Sequence, residues 1–532
     1  MLSGISGSLI AGAFLEETLA PELAAIPGLG SAVRALHRWS GRVQRTIGPA
    51  SSVRLIADVA AMPLFAILGY DVTRLEPHRA DLIGTLTGEG TTVVLCVSAG
   101  DRPLDTAWRD LVRAGRVAHA HWAIVFTARA LRVVDARRAW ARRTLDFDLT
   151  TVVNDERSAR VFAALLQAAG VADFKPGALE RIVQRSESHG LGVCTALGGG
   201  VIEALTALAA ALDTATSLRS TATGSNRLAF EQAITLVYRL LFLLFAEARA
   251  MVPTWHRIYR DSYSIDTLVE RLMRERTSRG TWRALQAISR LAYDGCHAGD
   301  LVVTPFNGRL FSPRHAPMAD RVRLPDEAAA AALTALATTR GPRGRERVAY
   351  ADLDVEQLGA VYEHVLEFEP ARVNGTLRLT RTSQERKATG SFYTPRAMTD
   401  FLVRRALSPL VANKSAEEIL RLRVLDPAMG SGAFLVSACR YLASALERAR
   451  IDEGAYRSDP SPTERANLRR TVAQRCLFGV DLNPRAVQLA RLSLWLCTLS
   501  HDRPLTCRGR PVPSPRGQSR RRTPFPRETA RN

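Results

Sequence analysis

The sequence predicts a multidomain chain in which α/β parts flank an all-α part. Three observations predict it. The front alternates short apolar runs with an amphipathic stretch, as strands and helices alternate in an α/β unit. The middle is alanine-rich and helical in pattern, with no repeat of 20–50 residues. Near the C-terminus, Leu422-Arg-Val-Leu-Asp426-Pro-Ala-Met-Gly430-Ser-Gly432-Ala-Phe434-Leu435 reads as strand, glycine turn and helix. At 532 residues the chain has room for about three domains.

The elements follow in chain order. Val59 to Leu68 has a helix pattern that ends at Gly69-Tyr70-Asp71. Thr92 to Val97 is a short buried strand, Leu104 to Ala120 is amphipathic, and Trp122–Phe126 with Ala130–Asp135 predicts a hairpin. Residues 1–150 therefore form one α/β module, and residues 151–349 a mainly helical connector. Within the connector, Gly198-Gly-Gly200 and the Ser/Thr-rich stretch Thr214 to Asn226 read as turns or linkers. The apolar run Leu236 to Phe245 is interrupted by Arg239 and is shorter than the roughly 20 residues a bilayer requires. It is expected to be a buried helix. Tyr350 to Phe368 reads as a further helix, and Arg372 to Ala388 as a hairpin or loop.

The C-terminal elements carry the chemistry. A strand ends in Asp426, and Gly430 and Gly432 let the backbone turn sharply and approach a ligand. The next helix aims its N-terminal N–H groups at the same place, favouring an anion such as a carboxylate. Downstream, Phe478-Gly-Val-Asp481-Leu-Asn483-Pro484 predicts a second strand ending in an acid, then a helix from Arg485 to about Ser500. Upstream, Gly390-Ser-Phe392-Tyr393-Thr394-Pro395 ends in a helix start, Thr as cap and Pro at the first position. A dinucleotide site of Gly-x-Gly-x-x-Gly type fits less well, because Leu435 stands where the third glycine belongs.

In order, type and separation, these three segments resemble the adenine-N6 DNA methyltransferases of large restriction–modification and phage-defence enzymes. The resemblance is strong over about residues 350–500 and weaker toward the N-terminus. It implies a partial class I, Rossmann-like methyltransferase domain at 350–506 and S-adenosyl-L-methionine as cofactor. It also implies a role for each matching residue. Phe392, Tyr393, Thr394 and Pro395 would line the adenosyl and methionine ends. Asp426, Ala428, Gly430 and Gly432 would hold the methionine portion. Asp481 would accept the ribose hydroxyls, a task suited to an acceptor-only carboxylate, with Asn483 beside it. The order of front elements resembles the nuclease-type domain of related bifunctional enzymes. Such nucleases need an acid plus Asp/Glu-x-Lys to hold a metal and activate water. Here the strand offers Leu95-Cys96-Val97-Ser98 instead, with Asp71, Glu89 and Asp101 as neighbouring acids. No metal site and no DNA cleavage are expected.

The resemblance also defines what is missing. The family's catalytic segment is Asn/Asp-Pro-Pro-Tyr/Phe, which localises the lone pair of the adenine amine and stacks on the flipped base. The chain contains no Pro-Pro pair, so no catalytic residue is assigned. Residues 507–532 hold eight Arg, five Pro and one acid and show no strand or helix period. They are expected to be a disordered tail. Only Lys175, Lys387 and Lys414 are lysines among 72 basic residues, as in GC-rich coding text, so a frameshift or truncation of a longer enzyme is one expectation. A nucleic-acid-binding arm is the other.

The net charge of +20 suits a partner rich in phosphate, double-stranded DNA under the resemblance. The basic residues Arg378, Arg381, Arg386 and Lys387 either touch that DNA or face solvent. Seven scattered cysteines without a Cys-x-x-Cys pair suit a reducing compartment. The start of the chain lacks the basic region of a secretion signal, so a cytoplasmic location without membrane attachment is expected. Three functional readings remain open. One is an adenine methyltransferase, inactive as this chain because the catalytic segment is absent, with a separate polypeptide as possible supplier. Another is a non-catalytic accessory subunit that binds cofactor or DNA. The third is a bifunctional restriction endonuclease–methyltransferase.

Overall fold

A computed structural model describes residues 2–24, 29–88, 91–139, 142–168, 178–217, 225–275, 277–303, 305, 310–314, 316–341, 344–353, 357–359, 361, 368–373, 376–381, 394, 396–456 and 459–498. The chain forms two compact units. The first contains residues 1–190 with 456–459, and the second 191–455 with 460–532.

The first unit is built on one sheet. Its strands are β1 (Ile5–Gly7), β2 (Asp71–Val72), β3 (Glu76–His78), β4 (Asp81–Gly88), β5 (Thr91–Val97), β6 (Trp122–Phe126), β7 (Ala130–Asp135) and β8 (Thr144–Asp148). The order is β1-β8-β7-β6-β5-β4-β2, with β3 also paired to β4. Among the described strands of this sheet only β5 and β6 run parallel, and the helix α2 (Trp108–Val117) lies between them in sequence, as a crossover requires. β5 is buried on both faces, which explains its unbroken apolar run. On one face Val94, Cys96, Ala123 and Val125 pack against Trp108 and Leu111 of α2. On the other, Leu95, Val97, Ile124 and Phe126 pack against α1 (Leu29–Thr46), the helical stretch Val53–Ile67 and α3 (Glu156–Leu166). Each such buried aliphatic side chain contributes about 1.5–3 kcal/mol. The hairpin expected from the sequence is present as β6 and β7, paired Trp122 to Asp135.

The second unit opens with helices. These are α4 (Ala178–Ser217), α5 (Ser225–Ala248), α6 (Ile265–Glu275), α7 (Thr281–Asp294) and α8 (Asp326–Ala337), the first of which begins in the first unit. Two expectations are corrected here. Gly198–Gly200 is not a turn but lies inside α4. A Cβ on Gly200 would strike the carbonyl of Ala335, so the glycine serves close approach of two backbones. Of the Thr214–Asn226 stretch, residues 214–217 belong to α4 and 225–226 to α5, so its expected bounds are too wide, while 218–224 lie outside the described residues. The apolar run around Leu241 is indeed buried, but α5 is longer than the run. By length and composition Arg227–Ala248 could cross a membrane, as could Leu179–Ala215. The first of these is a core helix, with 83% of its apolar window inside the protein. Arg239, 1% exposed, is tolerated there because it donates to the carbonyls of Leu310 (2.9 Å) and Ser312 (3.3 Å).

The chain then forms a hairpin, β9 (Phe368–Val373) and β10 (Thr376–Arg381), followed by α9 (Arg396–Val411). Last come β11 (Val424–Asp426), α10 (Ala433–Asp452), α11 (Pro462–Arg475), β12 (Leu477–Gly479) and α12 (Pro484–Cys497). Ser461 and Glu464 form a reciprocal capping box at the start of α11. β11 and β12 pair in parallel, with Asp426 opposite Gly479. A second core, including Leu435, Leu442, Leu446, Val472 and Leu477, fills the space between this strand pair and its helices. Most of the expected 350–368 helix and residues 382–388 lie outside the described residues, as does the 507–532 tail.

Candidate functional site

β11 ends in Asp426, whereas β12 stops at Gly479, so Asp481, expected at that strand's end, lies two residues beyond it. The backbone past the strands ties the two ends together. Val480 N–H donates to the Asp426 carbonyl at 2.9 Å, and Met429 N–H to the Val480 carbonyl at 3.0 Å. This zipper brings the turn after β11 directly over the end of β12. Gly479 makes the approach possible, because a Cβ there would collide with the Met429 thioether and the Leu435 side chain.

Asp481 closes the arrangement. Its Oδ2 accepts the Gly430 N–H at 2.9 Å, and its Oδ1 the Asn483 N–H at 2.8 Å. One carboxylate therefore fixes the glycine turn and the start of α12 together. A carboxylate has about four acceptor sites, so each oxygen keeps room for a further donor. Gly430 (φ 52°) and Gly432 (φ 85°) both adopt the left-handed conformation. Beyond Gly430 there is open space, since a Cβ would meet nothing within 4 Å. Gly432 caps α10 and no side chain caps that helix, which leaves its first N–H groups available to an anion.

Asp426 lies on the other side of the turn. Its Oδ1 accepts the Ala428 N–H at 3.1 Å, whereas its Oδ2 is buried and has no hydrogen-bond partner among the described residues. Burial, together with the charge of Asp481, raises its pKa above the ordinary carboxylate range despite the Ala428 N–H. Two acids whose charges oppose one another, one with an orphaned oxygen, have the capacity to accept a cation and hydroxyl donors.

The structure thus brings together Asp426, Ala428, Gly430, Gly432, Asp481 and Asn483. Thr394 is half-buried just before α9, while Phe392, Tyr393 and Pro395 lie outside the described residues. α9 is fixed to α10 by the Ser437 hydroxyl, which donates to Asp400 at 2.7 Å. One face of the strand pair is uncovered. Leu425 is 60% and Val480 37% exposed, on the side opposite Val424 and Leu477.

In the first unit, sequence reasoning missed the acid that faces β5. It singled out Asp71 and Asp101, which are exposed, and Glu89, which lies outside the described residues. Asp81 is the buried one, at the start of β4. Arg102 Nη1 lies 2.6 Å from each of its oxygens. The strand register could have found it, since Leu82 pairs with Val97 and places Asp81 beside Ser98. The Asp81 carboxylate is therefore held in an ion pair with Arg102. No group of potential metal ligands occurs among the described residues.

Comparison with known proteins agrees with the C-terminal reading. Residues 356–503 match the family model for N-6 DNA methylase. Over 187 residues the chain is 24% identical to a Methanocaldococcus jannaschii protein described as a type II restriction enzyme and methyltransferase. That alignment covers 28% of this chain and 14% of the relative. Over 129 residues it is 28% identical to the adenine-specific methyltransferase PglX of Streptomyces coelicolor, covering 24% of this chain and 10% of the relative. The chain thus spans about a seventh or less of the length of these curated relatives. Among solved structures, the DrdV–DNA complex aligns with 88% of this chain and 38% of its own at 12% identity and a TM-score of 0.26.

Proposed function

We propose that this chain, whose residues 356–503 match the N-6 DNA methylase family model, is part of an S-adenosylmethionine-dependent, adenine-specific DNA methyltransferase of a restriction–modification or phage-defence system. The observation that carries the reading is the closure of Asp426 and Asp481 around one glycine turn at the ends of adjacent parallel strands. The cofactor's groups fit the donors and acceptors present. Asp481 has acceptor capacity left for the two ribose hydroxyls. The uncapped start of α10 suits the methionine carboxylate, and the orphaned Oδ2 of Asp426 suits the ammonium group. Phe392, Tyr393, Thr394 and Pro395 would complete the adenosyl side. When bound, the cofactor supplies an electrophilic methyl on a sulfonium.

The substrate of the reading is adenine in double-stranded DNA, and the setting is the cytoplasm. No Asn/Asp-Pro-Pro-Tyr/Phe occurs in these 532 residues, so they bind the methyl donor without transferring it. The catalytic segment comes from further polypeptide that adds to the strand pair, and the exposed Leu425 and Val480 face favours that addition. The first unit does not cleave DNA, because Arg102 neutralises Asp81.

Ultraviolet crosslinking with tritiated S-adenosylmethionine, followed by peptide mapping, tests the proposal. Label in peptides containing Tyr393, Asp426 or Asp481 is the expected result. Label spread evenly over the chain, or none above that of a heat-denatured control, would refute it.

A further inference from the structure

α1 presents a charge pattern unlike that of its surroundings. Its 18 residues include no acid. Leu29, Ala32, Val33, Leu36, Trp39 and Val43 face the core, and the Trp39 indole donates to the Ala60 carbonyl at 2.9 Å, which fixes the helix against its neighbours. The opposite face exposes Arg34, Arg38, Arg42 and Arg45. At about 100° per residue these four fall within an arc of about 80°, and at about 1.5 Å per residue they form a row about 16 Å long. Among the described residues none of the four has a carboxylate within ion-pair distance. Other exposed arginines of the same unit do: Arg54 lies beside Asp58, and Arg185 beside Glu22.

Four like charges on a rigid helix repel one another, and the hydrogen bond from Arg45 Nε to the Gly41 carbonyl at 2.9 Å brings no opposite charge. A regular polyanion reverses that balance. Duplex DNA carries one charge per about 1.7 Å of axis, and guanidinium groups bind phosphate oxygens in pairs. We propose that the exposed face of α1 is a docking surface for the phosphate backbone of duplex DNA, contacting it without regard to sequence. It is a DNA contact of the first unit, separate from the methyl-donor hollow, and it does not depend on that hollow being occupied.

The test is fluorescence anisotropy of a labelled duplex of arbitrary sequence with the full chain, without any methyl donor, over a series of salt concentrations. The R34Q/R38Q/R42Q/R45Q variant should bind at least tenfold more weakly. Its plot of log affinity against log salt should be shallower by about 3 to 4, because each phosphate that is no longer neutralised takes about 0.9 from the slope. A control replaces Arg279, Arg283, Arg290 and Arg323, all exposed on the second unit, with glutamine. An unchanged slope in the α1 variant overturns the proposal, as does an equal change in the control. Loss of binding to anionic lipid vesicles with duplex affinity intact would assign the surface to a membrane and overturn it too. Thermal unfolding of each variant confirms that these surface changes leave the fold in place. Failure of cofactor binding would leave the anisotropy result untouched, so the two readings fail separately.

Discussion

Two glycines two residues apart should respond differently to the same methyl group. Both Gly430 and Gly432 are left-handed, at φ 52° and 85°. Holding alanine there costs about 1–2 kcal/mol. At Gly430 that is the whole cost, because an added Cβ meets nothing within 4 Å. At Gly432 it would sit 3.0 Å from the Cβ and 3.1 Å from the Cα of Ala490 on α12. Ala490 is fully buried and cannot retreat, and overpacking of this kind adds about 1–3 kcal/mol. Gly432→Ala should therefore lose about 2–5 kcal/mol and Gly430→Ala only about 1–2. In the proposed reading the methyl donor occupies the open space beyond Gly430, so Gly430→Ala should stay folded and lose at least tenfold in S-adenosylmethionine affinity. Urea unfolding with matched slopes measures the first difference and calorimetry the second. Equal stability of the two variants would refute the packing argument, and unchanged affinity in Gly430→Ala would refute the placement of the ligand.

Other expectations concern groups elsewhere in the chain. Asp426 is held above the usual carboxylate range by burial and by the neighbouring Asp481, and it must be ionised to attract a cation. Cofactor affinity should therefore fall on acidification before an ordinary carboxylate would protonate, which calorimetry at stepped pH would show; a flat profile contradicts the role given to Asp426. Glu247 accepts from the Tyr259 and Ser264 hydroxyls and from the Ile265 and Asp266 N–H groups, all four of them donors. Glu247→Gln would turn an amide NH2 toward donors and should cost about 2–4 kcal/mol in urea unfolding. Arg239→Ala removes the buried donor to the Leu310 and Ser312 carbonyls and the ion-pair partner of Asp320, with an expected loss of about 3–5 kcal/mol. Plasmid incubated with the purified chain and magnesium or manganese should remain supercoiled; nicking would show that Arg102 does not block the first unit.

The sequence showed most of the candidate site and less of its frame. The turn was readable because Gly430 and Gly432 stand where only a left-handed backbone completes a strand-to-helix link, and because an acid stands at the end of β11 and two residues past β12. Gly198–Gly200 was misread for the converse reason. A glycine that opens a turn and one that admits a neighbouring backbone look alike in sequence, and only the nearness of Ala335 to Gly200 tells them apart. The apolar run Leu236–Phe245 showed its burial in sequence but not its length, because the helix extends past it through Gln232 and Glu247, polar residues that the fold buries with partners. Asp81 escaped notice because its importance comes from strand register, a long-range property, whereas Asp71 and Asp101 drew attention through nearness in sequence.

The most direct measurement of the central claim is calorimetric titration of S-adenosylmethionine into the full chain and into Asp481→Ala. In the proposed reading the ribose hydroxyls donate to Asp481, a charged acceptor, and each such bond contributes about 1.5–3 kcal/mol, so losing two should cost at least about 100-fold in affinity. Saturable binding by the parent chain and its loss in the variant is the predicted result. Equal binding by a folded Asp481→Ala protein, or none by the parent, would show that the hollow between Asp426 and Asp481 does not hold the methyl donor.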